Sequence, residues 1–269
     1  MIQIIALLAV VLTTAFVLKF YPEKITIKKM TITAILLSVS LLMTLFSINV
    51  FFLGGQVVIR FSQLVLILLG ATLGPIYAVI AGFGFDVLNL VVRPLGTPYI
   101  GFTLNNIWVG LFAALTFKHL KLKSHKFKVS VMITSILAYA IYIVVVLTLF
   151  ITQKDLMTLI DSITFNMIKS ALILTIVSVL LIIIGYIIKR KKRFKFINLS
   201  DSLIMLIIAA ILVEFIVQGF FTPIWLHDMA KTPILLSMQI RAIKGGLMVV
   251  LNSFIGYAVY EAIIKRLVK

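Results

Sequence analysis

The stretch LVLILLGATLGPIYAVIAGFGFDVLNLVV, residues 64–92, carries one charged side chain, Asp86, and it decides the fold class. A bilayer core is about 30 Å thick, and about 18 or more consecutive apolar residues can span it as a helix. Gly74-Pro75 interrupts the run. Proline has no amide to donate and glycine accepts unusual dihedrals, so the pair suits a tight turn between two helices, 61–74 and 75–92. Outward from there, the same hydropathy pattern predicts spans at 2–19, 31–51, 102–117, 128–151, 162–188, 202–221 and 235–264. The expected fold is therefore an all-α polytopic membrane protein with about nine transmembrane helices. Composition agrees, with 62% hydrophobic and 12% charged residues against about 45–50% and about 25% in average soluble domains. No polar stretch is long enough to fold alone as a soluble domain.

The net charge of +17 does not point to nucleic acid, because the basic residues are dispersed among short loops between apolar segments. Cytoplasmic loops of membrane proteins carry excess Lys and Arg. Here Lys19, Lys24, Lys28 and Lys29 follow the first span, and Lys118, Lys121, Lys123, Lys126 and Lys128 follow the fifth. Lys189, Arg190, Lys191, Lys192, Arg193 and Lys195 follow the seventh, and Lys265, Arg266 and Lys269 end the chain. If nine helices alternate, those 18 residues share one side, against Arg60, Arg93, Lys154 and Lys231 on the other. The expected topology puts the N-terminus outside, the C-terminus in the cytoplasm and the protein in the cell membrane as a multi-pass chain. Residues 1–19 lack a basic n-region and a small-residue cleavage site, so they read as a retained helix. The chain has no cysteine, which excludes disulfides and thiolate metal sites.

Charges within a helix cost about 2.5–3.5 kcal/mol at mid-bilayer and normally face protein or water. The candidates are Asp86, Lys169, Glu214, Arg241, Lys244 and Glu261. Asp86 either ties helices together or contacts a ligand. Glu214 either pairs with Arg241 or Lys244 or takes part in binding. Glu261, near the inner end, can snorkel to solvent. Arg60 and Arg93 sit at outer helix ends, where an arginine serves as an interfacial anchor or as a carboxylate ligand. Enzyme signatures are missing: His119, His125 and His227 have no metal-ligand spacing, and there is no phosphate-binding glycine loop. No catalytic role, cofactor or metal is expected.

Two segments resemble each other at an offset of 75 residues: SITFNMIKSAL, 162–172, and SMQIRAIKGGL, 237–247, each running on to Ile-Ile-Lys-Arg. They suggest a duplicated helical hairpin, 128–190 and 202–267. The stretch 54–111 has a further set of features: Gly54-Gly55 followed by Arg60-Phe61, the turn and small-residue helix from Leu73 to Asp86, then Pro94, Gly96, Tyr99 and Gly101-Phe102-Thr103-Leu104, and finally Gly110-Leu111. This pattern resembles the S-components of energy-coupling factor (ECF) transporters, most closely their folate-family branch. Gln239-Ile-Arg241-Ala-Ile-Lys244 is similar to that family's Arg-x-x-Lys at the start of its last helix.

The resemblance implies a six-helix core that captures a vitamin on the outer side and docks on an ECF transmembrane scaffold subunit driven by two ATPase subunits. The partners it implies are a folate-like ligand, that scaffold with its ATPases, and the lipid bilayer, with no nucleic acid. It implies substrate-binding roles for Arg60, Tyr99, Gly101, Phe102, Thr103, Arg241 and Lys244. It places partner docking at Ala34-x-x-x-Ser38, where the family carries Ala-x-x-x-Ala and small residues four apart allow close helix approach. The implied organisation has four parts: an additional N-terminal helix and loop, 1–30; S-component-like helices, 31–122; an additional hairpin, 123–198; and the closing S-component-like hairpin, 199–269. The middle hairpin reads as the extra one because Asn166 stands where the family has arginine. After Arg60 the chain also departs from the family, with Phe61-Ser62-Gln63 in place of Gly-Phe. A self-sufficient secondary carrier is the alternative, and a same-orientation hairpin repeat argues against it. A membrane enzyme is a third class, and no acid, base or metal cluster supports one.

Overall fold

The computed structural model describes residues 2–52, 55–92, 98–152 and 199–264. Helix α1 runs over Ile2–Phe20 and α2 over Ile27–Leu45. A β-hairpin follows, β1 Ile48–Phe52 and β2 Gly55–Ile59, antiparallel with Ile48 opposite Ile59 and Phe52 opposite Gly55. Next come α3 (Ser62–Leu73), α4 (Pro75–Val92), α5 (Ile100–Leu120) and α6 (His125–Thr152). The last hairpin starts with α7 (Asp201–Leu212), widens into a π-helical segment (Val213–Phe221) and continues as α8 (Thr222–Ala230). It returns through α9 (Ile234–Val259), which ends in a second π-helical turn (Tyr260–Ile264). Seven helices among the described residues are long and apolar enough to cross a membrane, with α7 to α8 counted as one. The molecule is an all-α polytopic membrane protein, apart from the one small hairpin. The expected span 162–188, and with it the first copy of the repeat, lies outside the described residues.

Two expected spans are corrected. The run 31–51 is not one helix: α2 ends at Leu45 and Ile48 begins a strand. Apolar runs rich in β-branched and aromatic residues suit either a buried helix or a strand, and hydropathy does not separate the two. The run 61–74 is a helix of 12 residues, about 18 Å long, too short to cross the bilayer unaided. It is nonetheless a core element, with Leu66, Ile67, Leu68 and Leu69 all buried.

The Gly74-Pro75 turn forms as expected. Gly74 has φ 100°, a region that favours glycine, and Pro75 opens α4. Helix α5 is the central post, and α3 and α4 approach it through glycines. A side chain at Gly70 would strike the Gly110 carbonyl, and one at Gly82 would strike the backbone of Ile107. Such close packing replaces the hydrophobic drive that helices lack in lipid. Helix α1 buries little beyond Ala6 and Val17 and is pinned to α5 where Trp108 Nε1 donates to Thr13 Oγ1 at 3.2 Å.

Of the expected basic loops, 189–195 and 265–269 lie outside the described residues; 19–29 and 118–128 meet at one end of this bundle. There Tyr21 meets His119 at 2.7 Å, and Glu23 pairs with Lys29 at 3.6 Å and Lys118 at 3.4 Å. Asp201 accepts from Lys128 and from His125, and Glu261 accepts from Ser202 at 2.9 Å. Strand β2 and the start of α9 meet at the opposite end.

Candidate functional site

The end away from the basic loops has two walls. The first is built by α4, α5 and α8. Thr103 and Asn106 lie one turn apart on α5 and therefore share a face. Thr103 Oγ1 donates to Asp86 Oδ2 at 2.6 Å and Asn106 Nδ2 to Asp86 Oδ1 at 3.0 Å. Both carboxylate oxygens of Asp86 are thus satisfied, which offsets the cost of holding an acid inside an apolar bundle. Arg60, at the end of β2, is close enough to act on the Asp86 charge.

Tyr99, just before α5, donates its hydroxyl to Asp228 Oδ2 at 2.8 Å. Burial and the neighbouring Asp228 carboxylate push that hydroxyl well above the ordinary tyrosine range. It is therefore a donor at every physiological pH. Phe102 stands edge-on to the Tyr99 ring, with centroids 5.8 Å apart. Gly101 lies against the indole of Trp225, where any side chain would collide. Deeper in, Asn105 Nδ2 donates to Thr222 Oγ1 at 2.9 Å, Trp225 Nε1 donates to Asn105 Oδ1 at 3.0 Å, and the Thr222 hydroxyl donates to the Val217 carbonyl at 2.8 Å.

The second wall is built by α9 and the π-helical segment. Arg241, half-buried, donates from Nη1 to Gln218 Oε1 at 3.0 Å and from Nε to Ser237 Oγ at 3.4 Å. Lys244 is also half-buried and follows three residues later on the same side of α9. Arg60 is close enough to act on both charges, so three cations converge. Beside them sits Glu214, 1% exposed. Neither of its carboxylate oxygens has a hydrogen-bond partner, and no cationic nitrogen lies within 4 Å of it among the described residues. Arg241 and Lys244 act on it from further away. The space it occupies exists because position 245 is glycine. An ideal Cβ there would lie 3.3 Å from Glu214 Oε2 and would run into the Tyr139 hydroxyl, which donates to the Ala242 carbonyl at 3.1 Å.

The structure therefore brings together Arg60, Arg241 and Lys244, with Thr103 joined through Asp86. Tyr99, Gly101 and Phe102 form a separate cluster with Trp225 and with Ala6 of α1. Ala34 and Ser38 are exposed on α2, and the Ser38 hydroxyl folds back to the Ala34 carbonyl at 2.9 Å. Arg93 lies outside the described residues. Several site residues were not anticipated. Gln218, Ser237 and Asn106 each sit one helical turn from an anticipated residue, a spacing that could have flagged them. Nothing local in the sequence marks Trp225 or Asp228 as the partners of the 99–105 segment. Among the described residues, no group of three or more His, Asp or Glu side chains is placed to hold a metal ion.

Comparison with curated proteins and with solved structures gives no match. The family model for the substrate-specific component of ECF transporters matches residues 28–184. The match starts at the first turn of α2 and covers more than half of the chain, including the hairpin, α3, α4 and the α5 wall. With a multi-pass helical bundle and a polar site at one of its ends, the chain belongs to the ECF transporter substrate-specific component family.

Proposed function

We propose that this subunit binds folate or a related vitamin at the end formed by β2, α5 and α9, and that this end faces outward. The convergence of Arg60, Arg241 and Lys244 carries the reading. Cations held near one another suit a ligand bearing carboxylates, and arginine can grip a carboxylate with two parallel hydrogen bonds. Tyr99, Gly101, Phe102 and Thr103 shape the adjoining wall and offer a flat heterocycle an aromatic surface. The basic opposite end is cytoplasmic under the positive-inside rule.

Transport in this reading requires docking on a separate scaffold subunit driven by two ATPases, with Ala34 and Ser38 on α2 as the contact. Their exposure and the folded-back Ser38 hydroxyl support it, because two small residues one turn apart let a partner helix approach closely. In this organisation α1 is an addition to the core and 123–198 is a second one, although the family match starts at residue 28 and runs on to residue 184.

Native mass spectrometry of the purified protein tests the ligand. A co-purifying folate or related vitamin is expected, and a different class of metabolite would overturn the reading. Orientation is tested in this cysteine-free chain with an impermeant thiol reagent on intact cells. A cysteine replacing Lys231 should be labelled and one replacing Lys191 should not, and the reverse pattern would invert the topology.

A further inference from the structure

Two acids lie near the site, Asp86 half-buried and Glu214 buried, and they differ in one respect. Asp86 has a donor on each oxygen, whereas Glu214 has none on either, although it is the more deeply buried. A buried charged group left without hydrogen bonds is costly, and Glu214 has nearby cations that do not approach it closely. The local fold keeps this arrangement open. Glu214 lies in the first turn of a π-helical segment, an irregularity that often marks functional positions. Gly245 sets no side chain against its carboxylate, and the Tyr139 hydroxyl that fills the space beside that glycine is turned to the Ala242 carbonyl. Gln218, one turn on, takes Arg241 away from it.

We propose that Glu214 is a specificity-determining residue of the binding site, accepting two parallel hydrogen bonds from a ligand ring that carries an amidine-like edge, a ring N–H beside an exocyclic amino group. The carboxylate's two acceptors match that pair of donors, while Arg60, Arg241 and Lys244 take the acidic part of the same ligand. The site thereby selects a molecule with a donor-bearing heterocycle at one end and negative charge at the other, and it discriminates against purely anionic compounds. This assignment rests on the vitamin-binding reading above.

The test uses a matched pair of probes, pterin and lumazine. They share one bicyclic ring, and the 2-amino group of the first is a 2-oxo group in the second. Calorimetric titration of the purified full chain in detergent should give pterin roughly ten- to hundredfold tighter than lumazine. In Glu214→Gln, whose amide offers one donor and one acceptor, that preference should disappear or reverse. Glu214→Asp keeps the charge but withdraws it, and it should weaken pterin while leaving lumazine unchanged. This second variant decides the matter if Glu214→Gln does not fold. Folate is titrated in parallel. Folate binding without a pterin preference, or a preference that survives in both variants, overturns the role of Glu214 alone. A parent protein that binds none of the three overturns the vitamin reading together with it.

Discussion

The wall made by α4, α5 and α8 and the wall made by α9 and the π-helical segment enclose the same end of the molecule, yet they treat their polar groups in opposite ways. On the first, three sets of hydrogen bonds are satisfied: Asp86 with Thr103 and Asn106, Asn105 with Thr222 and Trp225, and Tyr99 with Asp228. On the second, Glu214 has no hydrogen-bond partner, Lys244 lies near it without touching, and Arg241 is held by two neutral side chains. Buried polar groups that satisfy one another give a rigid scaffold, and those left open give a place where a ligand can supply what is missing. The wall left open is the one to which the proposed function assigns the ligand.

Three substitutions and one control probe that division. The largest effect is expected away from both walls. Ala34→Leu should abolish import in cells while vitamin binding in detergent stays near the parent value, because the bulk blocks a partner helix and reaches neither wall. Normal import would move the docking face elsewhere. Next, Arg241→Ala should weaken folate binding by roughly ten- to hundredfold, the cost of one charge-assisted hydrogen bond of about 1.5–3 kcal/mol. The melting temperature should barely move, since its present partners Gln218 and Ser237 are neutral. Arg93→Ala is the control, with a smaller effect. Unchanged affinity in Arg241→Ala would show that the binding wall has been misplaced.

The smallest effect should come from Thr103→Val on the first wall. Interhelical hydrogen bonds in membranes are worth about 0.6 kcal/mol on average and up to about 1.7 kcal/mol. A stability loss of that order is expected, read by thermal unfolding in detergent, with affinity changed less than by Arg241→Ala. Loss of binding on the scale of Arg241→Ala would erase the distinction between the walls, because it would make Thr103 a ligand contact rather than a donor to Asp86.

Much of this was legible in the sequence, for identifiable reasons. Uncharged runs announce membrane helices because the bilayer tolerates little else, and Gly74-Pro75 announced its turn because few other residues adopt that backbone. That the basic loops 19–29 and 118–128 share one end followed from counting Lys and Arg. The strand at Ile48–Phe52 was hidden because apolar β-branched residues serve both structures equally in a greasy chain. The short α3 was hidden because hydropathy measures greasiness and not reach. In the site, Arg60, Arg241 and Lys244 stood out as cations beside apolar helices. The engagement of Tyr99 by Asp228 and of Gly101 by Trp225 joins positions more than 120 residues apart, and no local pattern encodes it.

The π-helical segment acts as a phase shifter. An α-helix advances about 3.6 residues per turn, and a stretch bonded i to i+5 takes more residues to complete the same rotation. Val213–Phe221 therefore lets two faces of one continuous rod serve different neighbours, with Glu214 and Gln218 turned to α9 and Trp225 and Asp228 turned to α5. Winding these same residues as an ordinary α-helix would instead turn everything downstream relative to α7. The indole and the aspartate would then leave their partners together. The length of those nine residues is in effect a setting that keeps the two walls in register.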